Sequence, residues 1–306
     1  MKKLFIVSLF AFANVLQLSS QVGNLAKEDA TYIQGIEDTL SLLAFATIHD
    51  SLEANRFGAT RELAKKLVQA LKRPYSFNYK FERLSQYVSI QYPQDSTFRV
   101  FSWQLFVNDK EYRYYGAIQM NEPDLKLFGL IDRSFQMQGN LEQLTTTPEE
   151  WYGALYYGIH ETEGPQGKYY ILFGYDHTEF FRQRKIAEVL YFENGQPQFG
   201  APVFIDPQSG MTKNRLVIEY STATSAGLRY DEIQEMIIFD HLLTMSGQYG
   251  EGPTNFPDGS YEGYKEKDGH WYYIEKVYNV ITDEAPRPYP VLDRDETIKK
   301  GKNNKN

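Results

Sequence analysis

The sequence predicts an α+β fold: N-terminal helices followed by a large, mainly antiparallel β-domain built of hairpins. Three observations lead there. Apolar residues recur at three- and four-residue steps only in the first third of the chain. From Thr97 onward they fall into short runs rich in Tyr, Phe, Val and Ile, separated by turn residues. Aromatic residues make up 15% of the 306, with 24 Tyr and 20 Phe, which suits pleated, half-buried strand surfaces.

The first helix is expected over residues 28–54, where Ile33, Ile36, Leu40, Leu43, Thr47 and Ile48 share one face. A second covers 58–72, with Leu63, Leu67 and Leu71 in a stripe, Lys72 and Arg73 suiting its C-terminus, and Pro74 stopping it. A short third helix over 77–90 would bury Phe81, Leu84 and Val88 before Pro93.

Five strand pairs are expected next. Thr97–Val107 and Glu111–Met120 join through Asn108-Asp109-Lys110. Trp151–Thr162 and Lys168–Asp176 pair across residues 164–167, and Ile186–Glu193 and Gln198–Ile205 across Asn194-Gly195. Arg215–Ser221 and Met236–Leu242 form a fourth pair, separated by a stretch that can hold a tight turn or a short helix. Tyr261–Lys267 and His270–Tyr278 close the series across Asp268-Gly269. The pairs begin at irregular intervals, so no propeller-like repeat supports them. The resulting division is a helical section at 21–93, a β-domain at 94–282 and a tail at 283–306. That tail is Pro-rich and then basic, and is expected to wander in solution.

Location is read from residues 1–20. Met1-Lys2-Lys3 is a basic start, Leu4–Ala13 is apolar except for Ser8, and Ser19-Ser20-Gln21 is polar. This is the pattern of a secretory signal peptide, too short and interrupted for a membrane span. Cleavage fits after Ala13 or, with a better length, after Ser20. Export to a periplasm or beyond is therefore expected.

The chain has no Cys, which removes lipoprotein anchoring, thiolate metal sites, disulfides and Cys nucleophiles. A formal charge of −8 argues against nucleic acid as a partner. Neither a phosphate-cradling loop nor a dinucleotide fingerprint is present, so no cofactor is expected.

Phe98-Arg99-Val100-Phe101-Ser102-Trp103, following a set of helices, resembles a group of exported proteins of Gram-negative bacteria in which an Arg-aromatic-Ser-Trp strand opens a β-rich region. Leu228-Arg229-Tyr230-Asp231, Met236–Leu242 and Pro257-Asp258-Gly259-Ser260-Tyr261 with Trp271 beyond it are similar in the same patchy way, from about residue 30 to 280. The resemblance implies export and a β-rich fold. It implies no activity.

Candidate chemistry lies in three carboxylate–imidazole neighbourhoods. Asp176-His177 ends one strand, Asp240-His241 lies in another, and His160 precedes Glu161 and Glu163. Asp176, His177, Asp240 and His241 are the candidates for acid–base catalysis, and His160, His177 and His241 for a shared metal site. Consecutive residues on a strand point to opposite faces, so Asp176 and His177 need a turn to meet. Polar turns with capping Asp residues account for the same segments. Asp231, Glu232 and Glu235 add acids, but a glycosidase needs two carboxyls about 5–9.5 Å apart, a distance sequence does not give.

Aromatic residues offer a binding surface instead. Tyr115, Tyr152, Tyr156 and Trp271 are the candidates, because aromatics occupy both faces of their strands. Either such strands lie between two layers or one face is a binding platform. The favoured reading is an exported, non-catalytic envelope protein that binds a glycan, peptide or protein partner through an aromatic-rich β surface. The alternatives are a hydrolase of glycan or peptide substrates using carboxylates or a His/Asp metal site, and a structural accessory subunit bound to another envelope protein.

Overall fold

The computed structural model describes residues 23–246 and 252–278. The expected leader, 1–20, and the expected tail, 283–306, lie outside the described residues. Two helices come first, α1 (Lys27–His49) and α2 (Glu53–Leu71). Glu28 and Asp29 in the first turn of α1 complement its dipole. The helix stops at His49, five residues before the expected end at 54. Asp50 accepts the Leu52 N–H at 2.9 Å, a local turn that competes with another helical turn. Ile33, Leu40 and Ala44 then pack against Leu63, Leu67 and Ala70.

No third helix follows. Residues 76–78 and 84–86 are single 3₁₀ turns, and Ser89–Gln91 is a strand. In a helix the Arg83 N–H would donate to the Tyr79 carbonyl. Instead it donates to buried Glu37 (2.8 Å), and the Tyr79 carbonyl accepts from Arg99 (2.6 Å). Two buried side chains have captured the backbone groups that the helix required.

The strands form three sheets. The first holds β1 (Ser89–Gln91), β2 (Phe98–Asn108), β3 (Glu111–Met120) and β4 (Leu127–Ile131), in that order. The second begins with β5 (Leu155–Gly164), β6 (Gly167–Glu179), β7 (Arg182–Glu193) and β8 (Gln196–Phe199). The chain then crosses to the third sheet with β9 (Phe204–Ile205) and β10 (Thr212–Lys213), and returns to the second as β11 (Arg215–Ser221), beside β7. Finally β12 (Leu228–Asp231), β13 (Met236–Ser246), β14 (Pro253–Lys267) and β15 (His270–Ile274) complete the third sheet, whose order is β10-β9-β15-β14-β13-β12. Pairing within these sheets is antiparallel except between β15 and β9.

Two expected pairings are corrected. Arg215–Ser221 does not pair with Met236–Leu242. It joins β7, where Arg215 lies directly opposite Glu188 and both side chains are wholly buried. Meeting that carboxylate is what allows the guanidinium to be buried. Met236 instead follows a tight turn in which Asp231 accepts the N–H groups of Ile233 and Gln234. Gln198–Ile205 is not one strand either. It breaks at Gly200 (φ +89°) and continues in another sheet.

Alternation along the strands stacks the layers as helices, first sheet, second sheet, third sheet. On β2, Phe101 and Trp103 pack under the helices, while Phe98 and Val100 face the second sheet. On β6, Tyr170 and Leu172 face the first sheet, and Tyr169, Ile171 and Phe173 face the third. The second sheet is thus buried on both sides, which accounts for its nearly continuous apolar runs.

Candidate functional site

Asp176 and His177 have separate side-chain partners. The Asp176 carboxylate is buried, accepts the Tyr152 hydroxyl at 2.8 Å and lies near Arg184. His177 lies where β6 loses its register with β7, its ring 4.7 Å from that of Tyr112 and its Nδ1 3.3 Å from the Tyr175 hydroxyl. Asp240 accepts the Gly227 N–H, while His241 Nδ1 meets Asp258 at 2.9 Å. His160 stacks on Tyr230 with ring centroids 3.6 Å apart and stands edge-on to Trp271. The three histidines therefore occupy three different neighbourhoods. Among the described residues, no three His, Asp or Glu side chains are grouped as metal ligands. Glu161 and Glu163 are drawn to Lys168 at 3.3 and 3.6 Å.

Burial moves two of these groups in opposite directions. It raises Asp176 from 3.8 to about 6, against the opposing pull of the Tyr152 hydroxyl and Arg184. It lowers His160 from 6.5 to about 4. Folded Asp176 keeps its proton to higher pH than the unfolded chain does, so its contribution to stability falls as pH rises from about 4 to 6. Unfolded His160 takes its proton first, so its contribution falls as pH drops from 6.5 toward 4. Asp176 is worth up to about 3 kcal/mol and the more solvated His160 less, and the two act in opposite senses across the shared window. Denaturant melts of Asp176→Asn should show stability rising with pH across this window, and those of His160→Phe should show it falling. Identical slopes in both variants would refute these assignments.

Three of the four aromatic candidates have no accessible ring. Tyr152, Tyr156 and Trp271 are 1%, 0% and 1% exposed. Their rings enter the cores between layers, and the tyrosine hydroxyls serve internal partners, Asp176 and Glu188. Tyr115 is half-buried and stacks on Trp103, with centroids 5.8 Å apart. Tyr152, Tyr156 and Trp271 thus serve the packing of the layers.

An aromatic-walled cleft of about 600 Å³ opens where the second and third sheets end. Tyr169 and Tyr191 are cross-strand partners on β6 and β7 and form one wall; the Phe192 ring turns to the other face of the sheet, against Phe98. The opposite wall is the β14–β15 turn, tied across by the Tyr169 hydroxyl, which donates to the Gly269 carbonyl at 3.0 Å. A Cβ at Gly269 (φ +72°) would sit 2.6 Å from the Glu163 carbonyl oxygen, so a glycine is needed for this approach. Tyr191, Phe192 and His270 are half-buried, and Glu193 is the one carboxylate in the lining. A more polar cleft of about 660 Å³ adjoins at Thr145, with Arg133, Gln136, Glu149 and Glu150 around it.

Sequence reasoning passed over Tyr191, Phe192 and the turns that form this cleft. The turn signals at Gly164-Pro165-Gln166-Gly167 and Asp268-Gly269 were legible; that both turns meet at one cleft was not. Comparison with protein-family models, curated proteins and solved structures returns no match. Among the described residues, no helix is long and apolar enough to cross a membrane.

Proposed function

We propose that this chain is an exported, non-catalytic protein of the bacterial envelope that binds a glycan or peptide chain in the cleft beside Tyr191. One observation carries the binding reading. The cleft offers one aromatic wall, at Tyr169 and Tyr191, and backbone groups of several turns, while its lining holds a single carboxylate, Glu193. Two-carboxylate glycoside hydrolysis needs a second acid facing the first. Of the acids and histidines that would serve a hydrolase elsewhere, Asp231, Asp240, Glu161 and His241 hold hydrogen bonds or ion pairs within the fold, and His160 stacks on Tyr230. Aromatic faces stack on sugar rings or apolar side chains, and exposed backbone groups supply directional bonds. Export rests on the basic and apolar start of the chain, Met1-Lys2-Lys3 followed by Leu4–Ala13.

The test is calorimetric titration of the protein starting at Gln21 with cell-wall glycan fragments and their stem peptides. Tyr191→Ala should weaken binding by about tenfold, the effect of truncating a central aromatic contact. Ligand-free melting of the same variant controls for its packing. Binding unchanged by Tyr191→Ala would remove the cleft from consideration.

A further inference from the structure

Three cations lie close together at the start of β7: Arg182, Arg184 and Lys185. Both arginines pair with Glu219, at 3.4 and 2.7 Å. Strand alternation sends Lys185 to the face opposite Arg184. There its ammonium stands 4.6 Å from the centre of the Tyr157 ring and 5.1 Å from that of Tyr175, its cross-strand partner. Burial lowers its pKa, and no neighbouring carboxylate opposes that shift. Among the described residues it joins no ion pair.

Tyr157 reaches this position through an irregularity. β5 slips register against β6 between Tyr156 and Gly158, so Tyr157 is the extra residue of a bulge. Its hydroxyl donates to the Leu228 carbonyl at 2.7 Å, which fixes the ring while leaving the residue 39% exposed. Tyr175 and Lys185 are half-buried beside it. Tyr175 lies six residues along β6 from Tyr169 of the cleft, about 20 Å away.

We infer that Tyr157, Tyr175 and Lys185 form a second binding site that takes a carboxylate-bearing sugar ring. A half-desolvated ammonium without a counter-ion attracts an anion more strongly than a fully hydrated one does. The two tyrosines hold that ammonium in place, and the accessible Tyr157 offers a surface on which a sugar can stack. A peptide added as a strand would need a continuous sheet edge, and the bulge at Tyr157 interrupts the edge of β5. A uronic-acid residue needs only the ring and the cation. This site stands independently of the cleft beside Tyr191.

The probes are trigalacturonic acid and its neutral methyl ester, titrated into the protein starting at Gln21. The acid should bind at least about tenfold more tightly than the ester. Lys185→Met should abolish that preference, Lys185→Arg should keep most of it, and Tyr157→Ala should weaken both probes. If Lys185→Met lowers the melting temperature, Lys185→Gln replaces it. Tyr191→Ala should leave all of these values unchanged, which separates this site from the cleft. Equal affinity for acid and ester, no saturation by either up to about 10 mM, or undiminished preference in a folded Lys185 variant lacking the charge would overturn the inference. A short peptide acid that binds through Lys185 when neither sugar does would overturn the sugar assignment.

Discussion

Replacing Glu188 with Ala should destabilise the protein by about 3–5 kcal/mol, because it leaves a fully buried guanidinium without its counter-ion. Both Glu188 and Arg215 have no solvent exposure. Arg215 donates through Nε and Nη2 to Glu188 Oε1 at 2.8 and 2.5 Å, and through Nη1 to the Leu141 carbonyl at 2.9 Å. The other carboxylate oxygen accepts the Tyr156 hydroxyl (2.9 Å), which itself accepts the Trp151 indole N–H (2.7 Å). One ion pair thus ties β11 and the 141–143 turn to β7 and to Tyr156. In denaturant melts the double variant Glu188→Leu, Arg215→Met should recover at least half of the loss, since an apolar pair carries no desolvation penalty. A loss below about 1 kcal/mol for Glu188→Ala would show that Arg215 is solvated in solution.

Arg99→Met should cost about 3 kcal/mol or more, with the damage concentrated in residues 76–92. Arg99 is wholly buried and donates to Gln119 Oε1, the Tyr79 and Ser76 carbonyls and the Tyr92 hydroxyl, at 2.6–3.0 Å. Its guanidinium also lies 4.8 Å from the centre of the Phe101 ring and 5.1 Å from that of Phe81. Lys should not rescue it, because one ammonium cannot span four acceptors as a planar fork does. Amide exchange in the 76–92 segment should accelerate well before the β2–β3 hairpin does. Uniform acceleration across the chain would contradict this local role.

The Arg99 network also shows why part of the fold could not be read from sequence. Spacing of Phe81, Leu84 and Val88 is helical, and all three are buried as that spacing implies. What overrides the helix is Arg99 and Glu37, distant in sequence, binding its backbone. Local chemistry was legible where the deciding residues are adjacent. Asn194-Gly195 and Asp268-Gly269 both adopt the left-handed pairs that tight hairpins require, with φ between 51° and 73°. Sheet membership was not legible, since β11 is placed beside β7 by a cross-strand ion pair and β13 beside β14 by its own core.

The aromatic residues carried a similar ambiguity. A strand with rings on both faces is either sandwiched or exposed, and period alone does not distinguish these. The first holds for the second sheet, where Tyr169 and Tyr170 enter different cores. The two proposed binding sites therefore lie where the sandwich ends, at Tyr191 and at Tyr157, and not on its richest strands. The Phe98–Trp103 segment that carries the resemblance has a structural role of the same kind. Arg99 holds the 76–92 loop, Ser102 Oγ accepts the Tyr156 N–H at 3.0 Å, and Trp103 lies under the helices.

The most direct test of the binding role is to titrate cell-wall glycan fragments and stem peptides into the protein by calorimetry and then analyse the same samples for cleavage products. Saturable binding that Tyr191→Ala weakens about tenfold, with every fragment recovered intact, is the expected result. Cleaved fragments, or no binding of any fragment, would contradict a non-catalytic role for the cleft.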